Sequence, residues 1–211
     1  LFIVFLGLSP VYGYFEYFQL VLTWPASYCH ANDCERTAPN NFTIHGLWPD
    51  NESRRLQNCA PIPKYNTFMG GFVNELDKRW IQLRYEKYFA LQRQPFWKYQ
   101  FQKHGSCCQN LYKQIPYFNL AMRLKDKFDL LTTLKNHGII PGKSYTFDDI
   151  VKAVKTVSQT DPDLKCVEVT KGVFELSEIV ICVTDKADAM FPCRQSNTCG
   201  KTGSTLILFR S

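Results

Sequence analysis

The sequence predicts a single α+β domain: a central antiparallel sheet packed by helices and stapled by disulfides. Three observations predict it. Segments with strand alternation and segments with helical periodicity are mixed along the chain without a regular βαβ rhythm, which favours α+β over a doubly wound fold. The 211 residues, 45% of them hydrophobic, supply one well-packed core and are too few for two comfortable ones. Nine cysteines allow a disulfide framework of at most eight, with one left over.

The opening run LFIVFLGLSPVYG, residues 1–13, is apolar, uncharged and closed by small residues. It reads as part of a secretory signal cut before Tyr14, leaving residues 14–211 as the mature domain. Its apolar core is too short to span a bilayer, so no membrane anchor is expected. Phe15 to Trp24 alternates with strand-like aromatic and branched residues and forms a central strand that Pro25 ends. Cys29 and Cys34 bracket a short loop. Phe42 to Trp48 is a second strand, stopped by Pro49; period two places Thr43, His45 and Leu47 on one face and Phe42, Ile44, Gly46 and Trp48 on the other. Residues 51 to 75 mix Asn, Gly, Pro and charge and read as a surface loop tied down by Cys59.

Helical segments follow in Leu76 to Leu91 and Pro95 to His104. Tyr117 to Asn136 is the clearest helix, with Leu120, Leu124, Phe128 and Leu131 on one stripe and His137-Gly138 as terminator. Thr146-Phe147-Asp148-Asp149 resembles a capping box that opens another helix, with Ile150, Val154 and Val157 facing inward. After Cys166 the chain turns to strands in Val173 to Leu176, Ile179 to Val183 and Leu206 to Phe209. Each of the four tryptophans is better placed for core packing than for stacking on a base.

Nine cysteines behind an apparent signal point to an oxidising compartment. No pair has C-x-x-C spacing, and the adjacent Cys107 and Cys108 cannot easily share one tetrahedral ion, so no metal site is expected. Sequons at Asn41 and Asn51 fit secretion, with Asn41 the better glycan acceptor because the turn-like APNN holds it at the surface. A net charge of +6, from 25 basic and 19 acidic residues, suits a polyanionic partner without choosing one.

Chemistry concentrates in two places. His45 leaves the strand face that holds the large aromatic groups, and Gly46 beside it lets a ligand approach closely. Lys103 and His104 are neighbours in PFWKYQFQKHGSCC. Two imidazoles and a fixed cation suit metal-free cleavage of single-stranded RNA: a base takes the 2'-hydroxyl proton while an acid protonates the departing 5'-oxygen. Free imidazole titrates near ~6.5, so both forms coexist close to neutrality. A lysine against the phosphoryl oxygens stabilises the charge that grows in the transition state. Spacing alone does not say which histidine is acid and which is base.

FTIHGLWPD and FWKYQFQKHGSCC resemble the two active-site segments of the ribonuclease T2 family. The likeness extends over most of the chain. FEYFQLVLTWP, the Cys29 and Cys34 pair, CERT, the doubled cysteine of KHGSCC and FNLAMRLKDKFDLLTTLKNHGI resemble the self-incompatibility S-ribonucleases of nightshade-family styles. That resemblance implies His45 as general acid, His104 as general base and Lys103 as charge stabiliser. At Gln100, where the wider family often has Glu, an amide can orient a phosphate or the neighbouring His but cannot shuttle a proton. It further implies the pairings Cys29 with Cys34, Cys59 with Cys107, Cys166 with Cys199 and Cys182 with Cys193, leaving Cys108 free. It implies no cofactor, a monomer, secretion into the stylar transmitting tract, action in the pollen tube after uptake, and pollen-side F-box proteins as partners. A secreted ribonuclease of phosphate recovery or defence is the nearest rival, and a catalytically dead recognition protein of the same fold is the rival from another class.

Overall fold

The computed structural model describes residues 14–200 and 202–211. The leader expected at residues 1–13 lies outside them. In chain order the elements are β1 (Tyr17–Thr23), α1 (Pro25–Ala31), β2 (Thr43–Asp50), α2 (Phe72–Arg79), α3 (Lys87–Arg93) and α4 (Pro95–Lys103). A 3₁₀ turn at Gly105–Cys108 leads to α5 (Gln114–Lys127), α6 (Leu130–Asn136), β3 (Lys143–Thr146) and α7 (Phe147–Ser158). The chain closes with β4 (Asp163–Thr170), β5 (Val173–Thr184), β6 (Met190–Phe191) and β7 (Leu206–Phe209).

The sheet runs β2-β1-β5-β7-β3, with β4 and β6 also paired to β5. Its pairings are antiparallel except that β5 and β7 run parallel, so the sheet is mixed within the predicted α+β class. Alternation along β1 separates two faces. Phe18, Leu20 and Leu22 enter the large core that the helices cover, together with Phe42, Ile44, Leu47, Trp80, Trp97 and Phe101. Tyr17 and Val21 enter a smaller cluster with Val180, Cys182 and Cys193 on the opposite face.

Several elements depart from the expected pattern, each for a local reason. Pro25 does not simply end a strand: it occupies the first turn of α1, where its missing N–H is no loss, so Cys29 sits in a helix rather than a loop. Pro49 does not stop β2, because β2 is an edge strand and that N–H has no ladder partner to lose. The helix expected over Leu76 to Leu91 is two helices parted at Trp80, whose carbonyl accepts the buried Trp97 indole N–H at 2.7 Å. The helix expected over Tyr117 to Asn136 also divides. Asp129 caps α6, accepting from the Thr132 N–H at 3.3 Å and the Thr132 hydroxyl at 2.7 Å, while Phe128 and Leu131 stay buried across the break. An unbroken apolar stripe hid that cap.

Two more differences bear on function. β4 carries too little alternation to announce itself, and β5 is one continuous strand where Ser177 and Glu178 had read as a gap between two. The disulfides join Cys29 to Cys34, Cys59 to Cys107, Cys166 to Cys199 and Cys182 to Cys193, with Cα separations of 5.5, 4.9, 4.8 and 5.4 Å. Cys108 is free and buried. Cys59–Cys107 ties the long 51–71 connection to the turn that follows α4. No helix among the described residues is long and apolar enough to cross a membrane.

Candidate active site

β2 carries the first histidine through an irregularity. Val21 pairs with Gly46 and Leu22 with Ile44, so His45 is an extra residue on the β2 side of the ladder. Such a bulge re-aims one side chain and inverts the alternation beyond it. Strict period two therefore fails at this point. Leu47, expected beside His45, lies in the helix-covered core, and Trp48, expected in the core, lies with His45 on the other face. The remaining tryptophans, Trp24, Trp80 and Trp97, are core residues.

α4 carries the second histidine. Pro95 opens the helix, and Gln94 precedes it at φ 52°, its amide bonding Thr67 and Leu91 carbonyls at 2.9 and 3.1 Å and accepting the Tyr65 hydroxyl at 2.8 Å. Trp97, Gln100, Phe101 and His104 then follow the i, i+3, i+4, i+7 rule along one buried stripe. Trp97 and Phe101 anchor that stripe in the core, which leaves Gln100 and His104 at its open edge. Lys103 points off the stripe; its ammonium donates to the Tyr99 hydroxyl at 2.9 Å.

Trp48 joins the two segments. Its indole stacks on the His104 ring at 4.8 Å between centroids and 21° between planes, and its N–H donates to Gln100 Oε1 at 2.9 Å. The space at Gly46 belongs to these groups. A Cβ there would lie 2.0 Å from Trp48 Nε1 and 2.7 Å from Gln100 Oε1, so Gly46 admits the indole and the amide, not the ligand it was expected to admit.

The two imidazoles have different surroundings. His104 is 8% exposed, and its Nδ1 is buried without a hydrogen-bond partner among the described residues. Burial, reinforced by the positive charges of Lys103 and His45, pushes its pKa down to about 3. At neutral pH this ring is uncharged. His45 is partly exposed, and its Nδ1 contacts the Glu178 carboxylate, which is buried on β5. Glu178 also accepts from Thr23 Oγ1 at 3.2 Å and from Lys165 Nζ at 3.1 Å. Burial alone would raise its pKa; His45 and Lys165 outweigh that and hold the carboxyl well below the usual range. Neither Glu178 nor Lys165 was singled out from the sequence. A charged residue inside the apolar run ELSEIVICV was the available signal.

His45, Gln100 and Tyr99 separate two hollows. One, of about 480 Å³, holds His104, Lys103, Trp48, Lys165, Arg55 and Arg194. The other, of about 500 Å³, is walled by Phe96, Tyr28, Tyr85, Ile81 and Arg84. A phosphodiester at the divide would leave one flanking nucleoside to each side. Among the described residues no group of three or more His, Cys, Asp and Glu side chains is arranged to hold a metal ion.

Residues 15–193 match the family model described as Ribonuclease T2 family. This chain belongs to that family. Ribonuclease S-F11 of Nicotiana alata is 64% identical over 196 residues, covering 93% of this chain and 99% of that one. Ribonuclease S-2 of Solanum tuberosum is 55% identical over 213 residues, 100% of this chain and 96% of the other. Among solved structures, the gametophytic self-incompatibility associated SF11-RNase of Nicotiana alata superposes with a TM-score of 0.91 at 63% identity, covering 94% of this chain and 100% of that chain. The protein is therefore an RNA-cleaving endoribonuclease of S-ribonuclease type.

Two further histidines lie elsewhere. His30 Nδ1 meets Glu175 at 3.3 Å, and His137 Nδ1 meets the Thr133 carbonyl at 2.8 Å. Of the sequons, Asn41 is exposed, whereas Asn51, also expected to carry a glycan, is only 9% exposed with its side-chain oxygen buried.

Proposed function

We propose that this ribonuclease cleaves single-stranded RNA through a 2',3'-cyclic phosphate without a metal, with His104 as base, His45 as acid and Lys103 as the stabilising cation. The observation that carries the reading is the geometry, a buried His104 stacked on Trp48 in a cleft shared with His45 and Lys103; that burial lowers its pKa to about 3. A ring that is unprotonated at working pH is ready to accept the 2'-hydroxyl proton. The 2'-oxygen then bonds to phosphorus, the bond to the 5'-oxygen breaks, and the His45 Nε2 proton passes to that oxygen. Lys103 meets the charge that grows on the phosphoryl oxygens. Gln100 has its amide oxygen committed to Trp48, which leaves its NH₂ to face the cleft and donate to a phosphate oxygen.

The names of the similar Nicotiana and Solanum proteins support a place in self-incompatibility. On that reading residues 1–13 are a leader, residues 14–211 form the secreted monomeric enzyme, and Asn41 bears a glycan. The style is its site of secretion, the pollen tube its site of action after uptake, and pollen-side F-box proteins are its partners. Transcript confined to the style would support the mating role against phosphate recovery or defence.

The chemistry is tested on RNA with His45→Asn and His104→Asn. Each is expected to lower kcat by about 10²- to 10⁴-fold with the fold retained. Cyclic phosphate should accumulate before the 3'-monophosphate, and EDTA should leave the rate unchanged. Loss of activity in EDTA with recovery on adding a divalent ion would overturn the reading.

A further inference from the structure

A buried carboxylate in a cleft that must hold phosphodiesters is out of place unless it serves something there. Glu178 would repel the substrate's charge if it faced it, yet it is only 8% exposed and sits behind His45 relative to the cleft. Its placement follows from strand register. Lys165 on β4 lies directly across from Glu178 on β5, and Glu178 lies directly across from Thr23 on β1. The three form one cross-strand row that Thr43 continues on β2, and the bulge two residues on sets His45 so that its ring reaches Glu178. Oε2 takes the Lys165 ammonium at 3.1 Å, while Oε1 takes the Thr23 hydroxyl at 3.2 Å and meets His45 Nδ1. Both oxygens are thus fixed, and Lys165 is itself held over the Trp48 ring at 4.6 Å.

We propose that Glu178 is a positioning residue for the RNA-cleaving reaction: its carboxylate holds the proton on His45 Nδ1, so that Nε2 is the atom that delivers a proton to the leaving 5'-oxygen. The proposal rests on the reading of His45 as the acid. An ionised acceptor at Nδ1 selects one neutral tautomer, fixes the ring plane and compensates the charge of the imidazolium that precedes proton transfer. Lys165 and Thr23 keep that acceptor from turning away. The charged and titratable groups around Glu178 are His45 on β2, Lys165 and Asp163 on β4, and Tyr28 on α1. Asp163 accepts from the Ser196 N–H and hydroxyl at 2.8 and 2.9 Å. The contact to His45 is made by Glu178 alone among these groups.

The test compares two substrates that differ in their need for an acid. RNA expels an alkoxide that must be protonated; a ribonucleoside 3'-(4-nitrophenyl phosphate) expels a phenolate that need not be. For Glu178→Gln, kcat/KM on RNA is expected to fall by about 10- to 100-fold, less than the full acid contribution. The loss on the nitrophenyl ester should be at least several-fold smaller. Equal losses on both substrates would overturn the proposal. His45→Asn separates this from failure of the underlying reading. Equal losses for His45→Asn on the two substrates overturn the acid assignment itself, whereas a selective loss there with none in Glu178→Gln overturns Glu178 alone. The wild-type enzyme gives a readout that needs no variant: ¹H–¹⁵N correlation of neutral His45 should show the proton on Nδ1, and a proton on Nε2 would refute the role.

Discussion

At the scale of single residues, the same imidazole is placed once against a carboxylate and once against an indole in a buried stack, and on the proposed mechanism the two environments suit the rings to different work. His104 has its pKa lowered to about 3 by burial first and by neighbouring positive charge second. A base must be unprotonated, so the acidic limb of kcat/KM on RNA should lie well below the ~6.5 of free imidazole. Rates measured from pH 3 to 8 check this; a limb at 6.5 would contradict it. Stability should follow the same shift. The unfolded chain binds a proton at this histidine below ~6.5 and the folded one does not until about 3, so stability falls as pH drops through that window and is level above it. Glu178, depressed in the native state, adds its own loss at lower pH. Replacing His104 with Leu should flatten the slope of Tm between pH 6.5 and 4. The catalytic candidates themselves were legible, because each lies inside a distinctive string. Glu178 was not: its partner is 133 positions away in the chain, and only strand register brings them together.

Among elements, what could be read depended on whether the signal was local. β1 and the start of α7 were clear. The Thr146 hydroxyl accepts from the Asp149 N–H at 3.1 Å and donates to its carboxylate at 2.6 Å, a cap visible in four consecutive residues. Thr146→Ala should cost about 1 kcal/mol in urea unfolding and leave ribonuclease activity unchanged, since this end of α7 is outside the cleft. The bulge in β2 was not readable. Nothing in FTIHGLWPD marks an insertion in the ladder, and a one-residue error there assigned Leu47 and Trp48 to the wrong faces. Similarly, α5 and α6 share one apolar stripe, so periodicity alone joined them across the Asp129 cap.

Taken whole, the molecule assembles its cleft from distant segments: β2 supplies one histidine, α4 the other, and β4 with β5 the charged row behind. Packing of the sheet and four covalent links hold these parts in register. One consequence concerns how such a chain acquires its links. Cys108 is adjacent to the bonded Cys107, yet it faces the core and its Sγ donates to the Gly105 carbonyl at 3.4 Å. Burial drives its pKa far above that of a free thiol, so almost no thiolate exists to attack the neighbouring bond. The native pairing is thus protected by the fold it helps to make, while a nascent chain has no such protection: there Cys59 meets two chemically equal thiols side by side. Oxidation of the reduced, unfolded chain should give a mixture of Cys59–Cys107 and Cys59–Cys108 isomers, and Cys108→Ser should remove the second and raise the yield of active enzyme. Peptide mapping of the oxidised products would count them. The spare thiol is silent in the finished protein and a competitor during its making, which gives a cell that secretes this chain a reason to supply disulfide isomerase.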